Sequence, residues 1–182
     1  MVPEEQNQRL RHQIDSLRSN NRSAILETIK ELRGEGDVSV LPELFNLMLV
    51  QEDPDILRET ESLLNDLKDK EASEILAQAI ANPEYEKIRL VLLSACWQNG
   101  LSYVKQLPTF LEVVVSGDYP AAVEAFTVIE EAVGELEPGE RSVLARRLKS
   151  KSAEVGEQKK PLFAALVKVI EAYEAPQGSM HG

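Results

Sequence analysis

Few residues of this chain combine a reactive side chain with partners at a spacing that supports catalysis. The two histidines, His12 and His181, lie near opposite ends of the sequence, and no His, Cys, Asp and Glu residues cluster at metal-ligand spacing. The single cysteine, Cys96, has apolar neighbours, which disfavour a reactive thiolate and favour a packed side chain. Glu130 and Glu131 are adjacent, but neighbouring residues of a helix point about 100° apart and do not converge. The sequence therefore predicts no enzymatic activity, no cofactor and no metal ion.

The composition narrows the classes of function further. The net charge of -11 argues against broad nucleic-acid binding, because nonspecific affinity for phosphate comes from clustered Lys and Arg. Aromatic residues make up only 5% of the chain, and its mainly small aliphatic residues suit helix-on-helix packing. The first residues are acidic and polar, unlike a signal peptide, and no apolar run has the length of a membrane span. We expect a cytoplasmic protein without a membrane partner.

A recurring motif indicates how the chain is organised. Leu-Pro at residues 41–42 leads to Asp53-Pro54, and Leu-Pro at 107–108 leads to Asp118 and Pro120. A looser copy between them contains Asn82-Pro83. Asp or Asn before a proline is a typical helix start, because the side chain caps the helix and proline fits its first turn. A period of roughly 33 residues predicts stacked helical hairpins.

Superposition of the second helix of each hairpin supports this period, because the apolar positions recur at the i, i+4, i+7 spacing of one helix face. The three aligned sets are Ile25, Ile56, Ile88 and Ala122; Ile29, Thr60, Leu92 and Phe126; and Leu32, Leu63, Ala95 and Ile129. The pattern predicts one domain over residues 1–174. Its parts are a capping hairpin at 3–34, central repeats at 38–134 and a less regular hairpin at 138–174, before a disordered tail at 175–182.

One predicted helix, from Tyr85 to Gln98, is apolar on a second face. Leu90, Leu93 and Trp97 form a stripe opposite its core face, whereas the aligned positions of the other hairpins are polar. Two interpretations stay open. The stripe is an exposed docking patch with a tryptophan anchor, or the helix is apolar all round because it is buried.

The Leu-Pro near the start of two of the first helices, the Asp-Pro turn and the Ile88-Arg89 pair of a second helix together resemble HEAT repeats. The resemblance covers about residues 38–133 and is weaker on both flanks. It implies an all-α, right-handed superhelix of about five helical hairpins. Its first helices would be convex, and its second helices would line a concave groove that includes the stripe.

The resemblance favours a non-enzymatic scaffold or adaptor that binds a protein or peptide in this groove, as a monomer or weak homo-oligomer. Three residues would bury apolar surface, namely Trp97, Leu93 and Leu90. Four charged residues would orient the partner and exclude others, namely Arg89, Arg58, Glu124 and Glu131.

Other HEAT-like proteins suggest alternatives. Alkylpurine DNA glycosylases use a basic concave surface, but here only residues 141–160 are basic. A HEAT-like lyase is a further alternative that rests on fold analogy alone. Deoxyhypusine hydroxylases bind iron through repeated His-Glu pairs, which this sequence lacks. The acidic stretch before residue 141 and the basic stretch after it either neutralise each other or steer a partner of complementary charge.

Overall fold

The computed structural model describes residues 4–35 and 37–173, which form helices joined by short turns and contain no strand. They form two compact units, Met1–Leu101 and Ser102–Gly182. Unit 1 contains α1 (Glu4–Leu17), α2 (Arg22–Glu35), α3 (Leu41–Val50), α4 (Pro54–Asn65), α5 (Ala72–Ala81) and α6 (Arg89–Asn99). Unit 2 contains α7 (Leu107–Ser116), α8 (Tyr119–Val133), α9 (Pro138–Ser150) and α10 (Lys160–Ala172). Short 3-10 helices span Val38–Val40, Pro83–Ile88, Val104–Gln106, Ser152–Glu154 and Glu157–Lys159.

The helix starts predicted from Asp-Pro signals are confirmed at two positions. The Asp53 carboxylate accepts hydrogen bonds from the backbone N–H groups of Asp55 (2.9 Å) and Ile56 (3.3 Å) at the start of α4. The Asp118 carboxylate accepts one from Ala121 (2.9 Å) at the start of α8. These caps satisfy backbone donors that have no partner within the helix.

The helix predicted from Tyr85 to Gln98 is wrong at its start. Residues Pro83–Ile88 form a 3-10 helix, Tyr85 has the non-helical angles φ -97 and ψ 15, and α6 begins only at Arg89. Tyr85 is held by α3, where its ring meets the edge of Phe45 at 5.6 Å and its hydroxyl donates to the Asn46 side chain (3.2 Å). This anchoring gives a physical reason for the irregular start.

The helices of unit 1 pack in two rows. The second helices α2, α4 and α6 pack consecutively, as do the first helices α1, α3 and α5, and each first helix contacts its own second helix. Ion pairs cross between α2 and α4, where Arg22 binds Asp53 (2.7 Å) and Arg33 binds Glu59 (3.1 Å). Exposed pairs contribute only about 0–1 kcal/mol each, so apolar burial holds the rows together.

The aligned positions of the second helices form the core, as the sequence predicted. All twelve are buried except Phe126, which is half-buried. The one polar member is Thr60. Its hydroxyl group donates a hydrogen bond to the Ile56 carbonyl oxygen (2.8 Å), so this buried polar group is satisfied. The single domain over residues 1–174 and its superhelical arrangement stay predictions.

In unit 2, α7 pairs with α8, α9 pairs with α10, and α8 packs against α10. The long connection between α9 and α10 is tied down by Lys159. Its buried ammonium group donates to the carbonyl oxygens of Val115 (2.5 Å) and Gly117 (2.6 Å) at the end of α7. Lys159 therefore acts as a cap for the last turn of α7, where a cation also suits the helix dipole.

The tail predicted at 175–182 lies outside the described residues. None of the described helices has both the length and the apolar character that a membrane span requires.

Candidate protein-binding surface on helix α6

Two large apolar side chains are exposed on α6. Leu90 is 46% and Trp97 is 41% exposed, and they lie seven residues apart. Seven residues turn a helix by about 700°, so the two side chains share one edge of α6. We call this pair the α6 ridge.

Leu93 does not belong to this ridge, which corrects the expectation of an exposed three-residue stripe. The side chain is 0% exposed, as is that of Leu92, and Cys96 and Ala95 are also buried. Three residues along a helix correspond to about 300°, so Leu93 is turned about 60° away from Leu90, towards the side of Cys96. The buried face of α6 is wide enough to include it. The stripe is therefore split between core and surface, and the docking role of its exposed part stays a prediction.

Polar side chains lie beside the ridge where α4 packs on α6. The Asn65 side-chain amide donates to the Gln98 side-chain oxygen (3.2 Å), and the Gln98 amide donates to the Ser94 hydroxyl (2.8 Å). The exposed apolar pair thus has a hydrogen-bonded polar border on the α4 side. An apolar centre with a polar rim is the usual anatomy of a protein-binding patch.

The two arginines predicted to orient a partner have roles within unit 1. Arg89 is half-buried, and its Nε donates to the Ile80 carbonyl oxygen (3.0 Å) near the end of α5. Arg58 remains exposed on α4 and pairs with Asp55 (2.6 Å), which also binds Arg22. Arg58 therefore stays accessible to a partner, whereas Arg89 joins α5 to α6.

The two glutamates predicted for the same site lie on α8, in unit 2. Glu124 is half-buried and Glu131 is exposed. The structure thus brings Leu90 and Trp97 together on α6 with Arg58 on a helix that packs against it, and assigns Glu124 and Glu131 to the other compact unit.

Across residues 4–35 and 37–173, no three His, Cys, Asp or Glu side chains are grouped so that they could hold a metal ion. Cys96 is buried beneath the surface of α6. No protein-family model matches the chain, and no curated protein matches it in sequence.

A second apolar surface, a groove between α7 and α9 in unit 2, was not predicted from the sequence. The available signal was Val143, an apolar residue on the polar side of α9, which is 55% exposed. A single apolar residue on a helix surface is common and does not by itself indicate a site.

Proposed function

We propose that the chain is a non-enzymatic, HEAT-like interaction module that binds a segment of another protein through the α6 ridge. The supporting observation is the exposure of Leu90 and Trp97 on a helix whose other large apolar side chains are mostly buried. Tryptophan is among the residues most enriched in binding hot spots, where it fills a pocket of the partner and excludes water.

The magnitudes favour the apolar pair over the charged residues as the source of affinity. A tryptophan side chain buries about 150–250 Å² when it is covered completely, so the exposed part of Trp97 offers roughly 60–100 Å². At about 25 cal/mol per Å², covering it gains about 1.5–2.5 kcal/mol. Arg58 is exposed and already paired, and such a charge contributes about 0–1 kcal/mol. Its role is to favour one orientation of the partner.

The HEAT-like part of this proposal rests on the recurring buried positions of the second helices and on the two rows of helices in unit 1. The resemblance implies that the second helices line a concave surface with right-handed superhelical stacking. We propose this arrangement together with the role as a scaffold or adaptor.

A peptide-display experiment tests the function and does not require the partner to be identified first. Random peptides of about 15 residues are selected on the immobilised chain, and their affinities are then measured for the wild type and the variants Leu90→Ser and Trp97→Ala. We expect a loss of about tenfold or more in affinity for each variant, the size expected of a hot-spot residue. Because Trp97 is the only tryptophan, its emission should also shift to the blue and become protected from acrylamide when a peptide binds.

Val50 provides a matched control, because it is an apolar residue in the same unit, 78% exposed, on α3. The variant Val50→Ser should bind the selected peptides as the wild type does. Selection that yields only peptides indifferent to both ridge variants, or no peptide at all, would rule out the α6 ridge as a binding surface.

A further inference from the structure

Unit 2 contains an apolar groove between α7 and α9, with a volume of about 640 Å³. Its walls come from the first turns of α7, from the turn between α8 and α9, and from the outer face of α9. The apolar lining residues are Leu107, Pro108, Leu111, Leu136, Val143 and Leu144. We call this recess the α7–α9 groove. Its volume is within the range of about 300–1,000 Å³ that is usual for ligand pockets.

The groove lies where two helices that correspond in order make little direct contact. In unit 1 the first helices α1, α3 and α5 contact one another in turn. In unit 2 the second helices α8 and α10 pack together, but α7 and α9 share little direct contact. Val143 is consequently 55% exposed, although it lines an apolar recess.

Charged side chains of opposite sign mark the two ends of the groove on α9. Glu137 and Glu140 lie at the start of the helix, where the Glu140 carboxylate also accepts a hydrogen bond from the Glu137 backbone N–H (2.8 Å). Arg147 lies seven residues beyond Glu140, which corresponds to about 10 Å along the helix axis. Within the part of the chain that the structure describes, the Arg147 guanidinium makes no ion pair.

From this arrangement we propose that the α7–α9 groove binds an amphipathic helix of a partner protein. Apolar side chains of that helix, one turn apart, insert between α7 and α9. A basic side chain at one end lies over Glu137 and Glu140, and an acidic side chain about two turns away lies over Arg147. The groove therefore selects its partner by an apolar face and by one charge of each sign.

The shape of the groove favours a helix as the occupant. Its walls are rows of helical side chains, and a third helix packs on such rows by placing its ridges in their grooves. Recognition of an amphipathic helix by a hydrophobic groove uses anchors at i, i+3 or i+4, and i+7, and the two-turn distance from Glu140 to Arg147 matches that length. Complementary charges at the ends fix the direction of the bound helix and disfavour other partners. This site is separate from the α6 ridge, and its existence does not depend on the function proposed there.

The test uses a display library of 14-residue helical peptides with randomised surface positions, selected on the intact chain. Clones are sorted by their loss of binding to Val143→Asp, which places a charge in the groove at an exposed position. We expect Val143-dependent clones with an apolar face, a basic residue at one end and an acidic residue about two turns away. Their affinity should fall about tenfold or more for Val143→Asp and should be unchanged for the control Val50→Asp.

A charge reversal gives a second, sharper criterion. With Arg147→Glu, the same clones should bind more weakly, and peptides whose acidic residue is changed to Lys should regain affinity. Circular dichroism and melting temperature should be the same for all variants, since the changed residues are exposed. Loss of binding to Leu90→Ser but not to Val143→Asp would assign a clone to the α6 ridge.

Three results would overturn the proposal. The first is a selection without any Val143-dependent clone. The second is a set of Val143-dependent clones whose charges are random and whose binding ignores Arg147→Glu. The third is concentration-dependent self-association of the wild type that Val143→Asp abolishes, because the occupant would then be a second copy of the chain.

Discussion

The two compact units offer candidate binding surfaces of different shape. In unit 1 the helices of each row contact one another in order, and the candidate surface consists of Leu90 and Trp97, which are exposed on α6. In unit 2, α8 and α10 pack together while α7 and α9 make little direct contact, and the candidate surface is the recess between α7 and α9. A protruding pair must enter a pocket of its partner, whereas a recess receives side chains from its partner.

The two surfaces also differ in whether a mutation can weaken binding without destabilising the fold. The ridge residues are each nearly half exposed, so changing them removes less packing than changing a buried residue does. Leu111 and Leu144 line the groove but are almost completely buried, so they belong to the core of unit 2 as well. Of the apolar residues in the groove, Val143 is the one whose exposure allows a clean test.

The largest effect that we predict separates core from ridge within α6. Leu93→Ala should lower the free energy of unfolding by about 2–5 kcal/mol, because it removes a buried side chain and leaves a cavity. Leu90→Ala should cost less than about 1 kcal/mol, since nearly half of that side chain is already in water. Urea denaturation followed by circular dichroism measures both variants.

Equal losses for the two variants would contradict the assignment of Leu93 to the core and Leu90 to the surface. A small loss for both would mean that the stripe is exposed as a whole, which is what the docking-patch interpretation predicts.

Local signals in the sequence predicted local structure. The caps at Asp53 and Asp118 are confirmed because a cap depends only on a side chain and the backbone two or three residues beyond it. The irregular stretch before α6 was not predictable in this way. It involves Tyr85, which is held by Phe45 and Asn46 about 40 residues earlier in the chain.

The candidate surfaces show the same limit. The apolar stripe on α6 was visible in the sequence, and Leu90 and Trp97 are exposed, but the width of the buried face that takes in Leu93 depends on tertiary packing. The α7–α9 groove lies where α7 and α9 make little direct contact, and the spacing of residues within each helix does not predict how closely two helices pack.

The next largest effect that we predict concerns Lys159, which ties the connection between α9 and α10 to the end of α7. Lys159→Met keeps the apolar stem but removes the donors to the carbonyl oxygens of Val115 and Gly117. We expect a loss of about 1.5–3 kcal/mol, the range for hydrogen bonds to charged groups. Lys160→Met is the matched control, because Lys160 is exposed and pairs with nearby Glu157, three residues before it, and it should change stability by less than about 1 kcal/mol.

The pH dependence adds a second readout for Lys159. Burial lowers the pKa of Lys159, and the nearby Asp118 carboxylate opposes this shift. The unfolded chain therefore binds the proton more tightly than the folded chain, so stability should rise with pH between the lowered pKa and the usual value of 10.5. This rise should be missing in Lys159→Met, and its persistence there would show that Lys159 is not the group responsible.

The smallest effect that we predict tests the ion pairs between α2 and α4 in unit 1. The hydrogen bond from Arg22 lowers the pKa of Asp53 below its usual value of 3.8; burial opposes this shift, and the backbone N–H groups of α4 add to it. Because the folded chain holds this proton more weakly, the stabilisation is present above the usual pKa and is lost as the pH falls through the lowered one.

Urea denaturation between pH 6 and pH 2.5 measures this effect. The free energy of unfolding should fall less steeply with decreasing pH for Asp53→Asn and for Arg22→Met than for the wild type. The double variant should lose less stability than the sum of the two single variants, because both changes remove the Arg22–Asp53 ion pair, while Arg22 also binds Asp55 and Asp53 also caps α4. Additive effects of the two changes would mean that the Arg22–Asp53 ion pair does not couple α2 to α4.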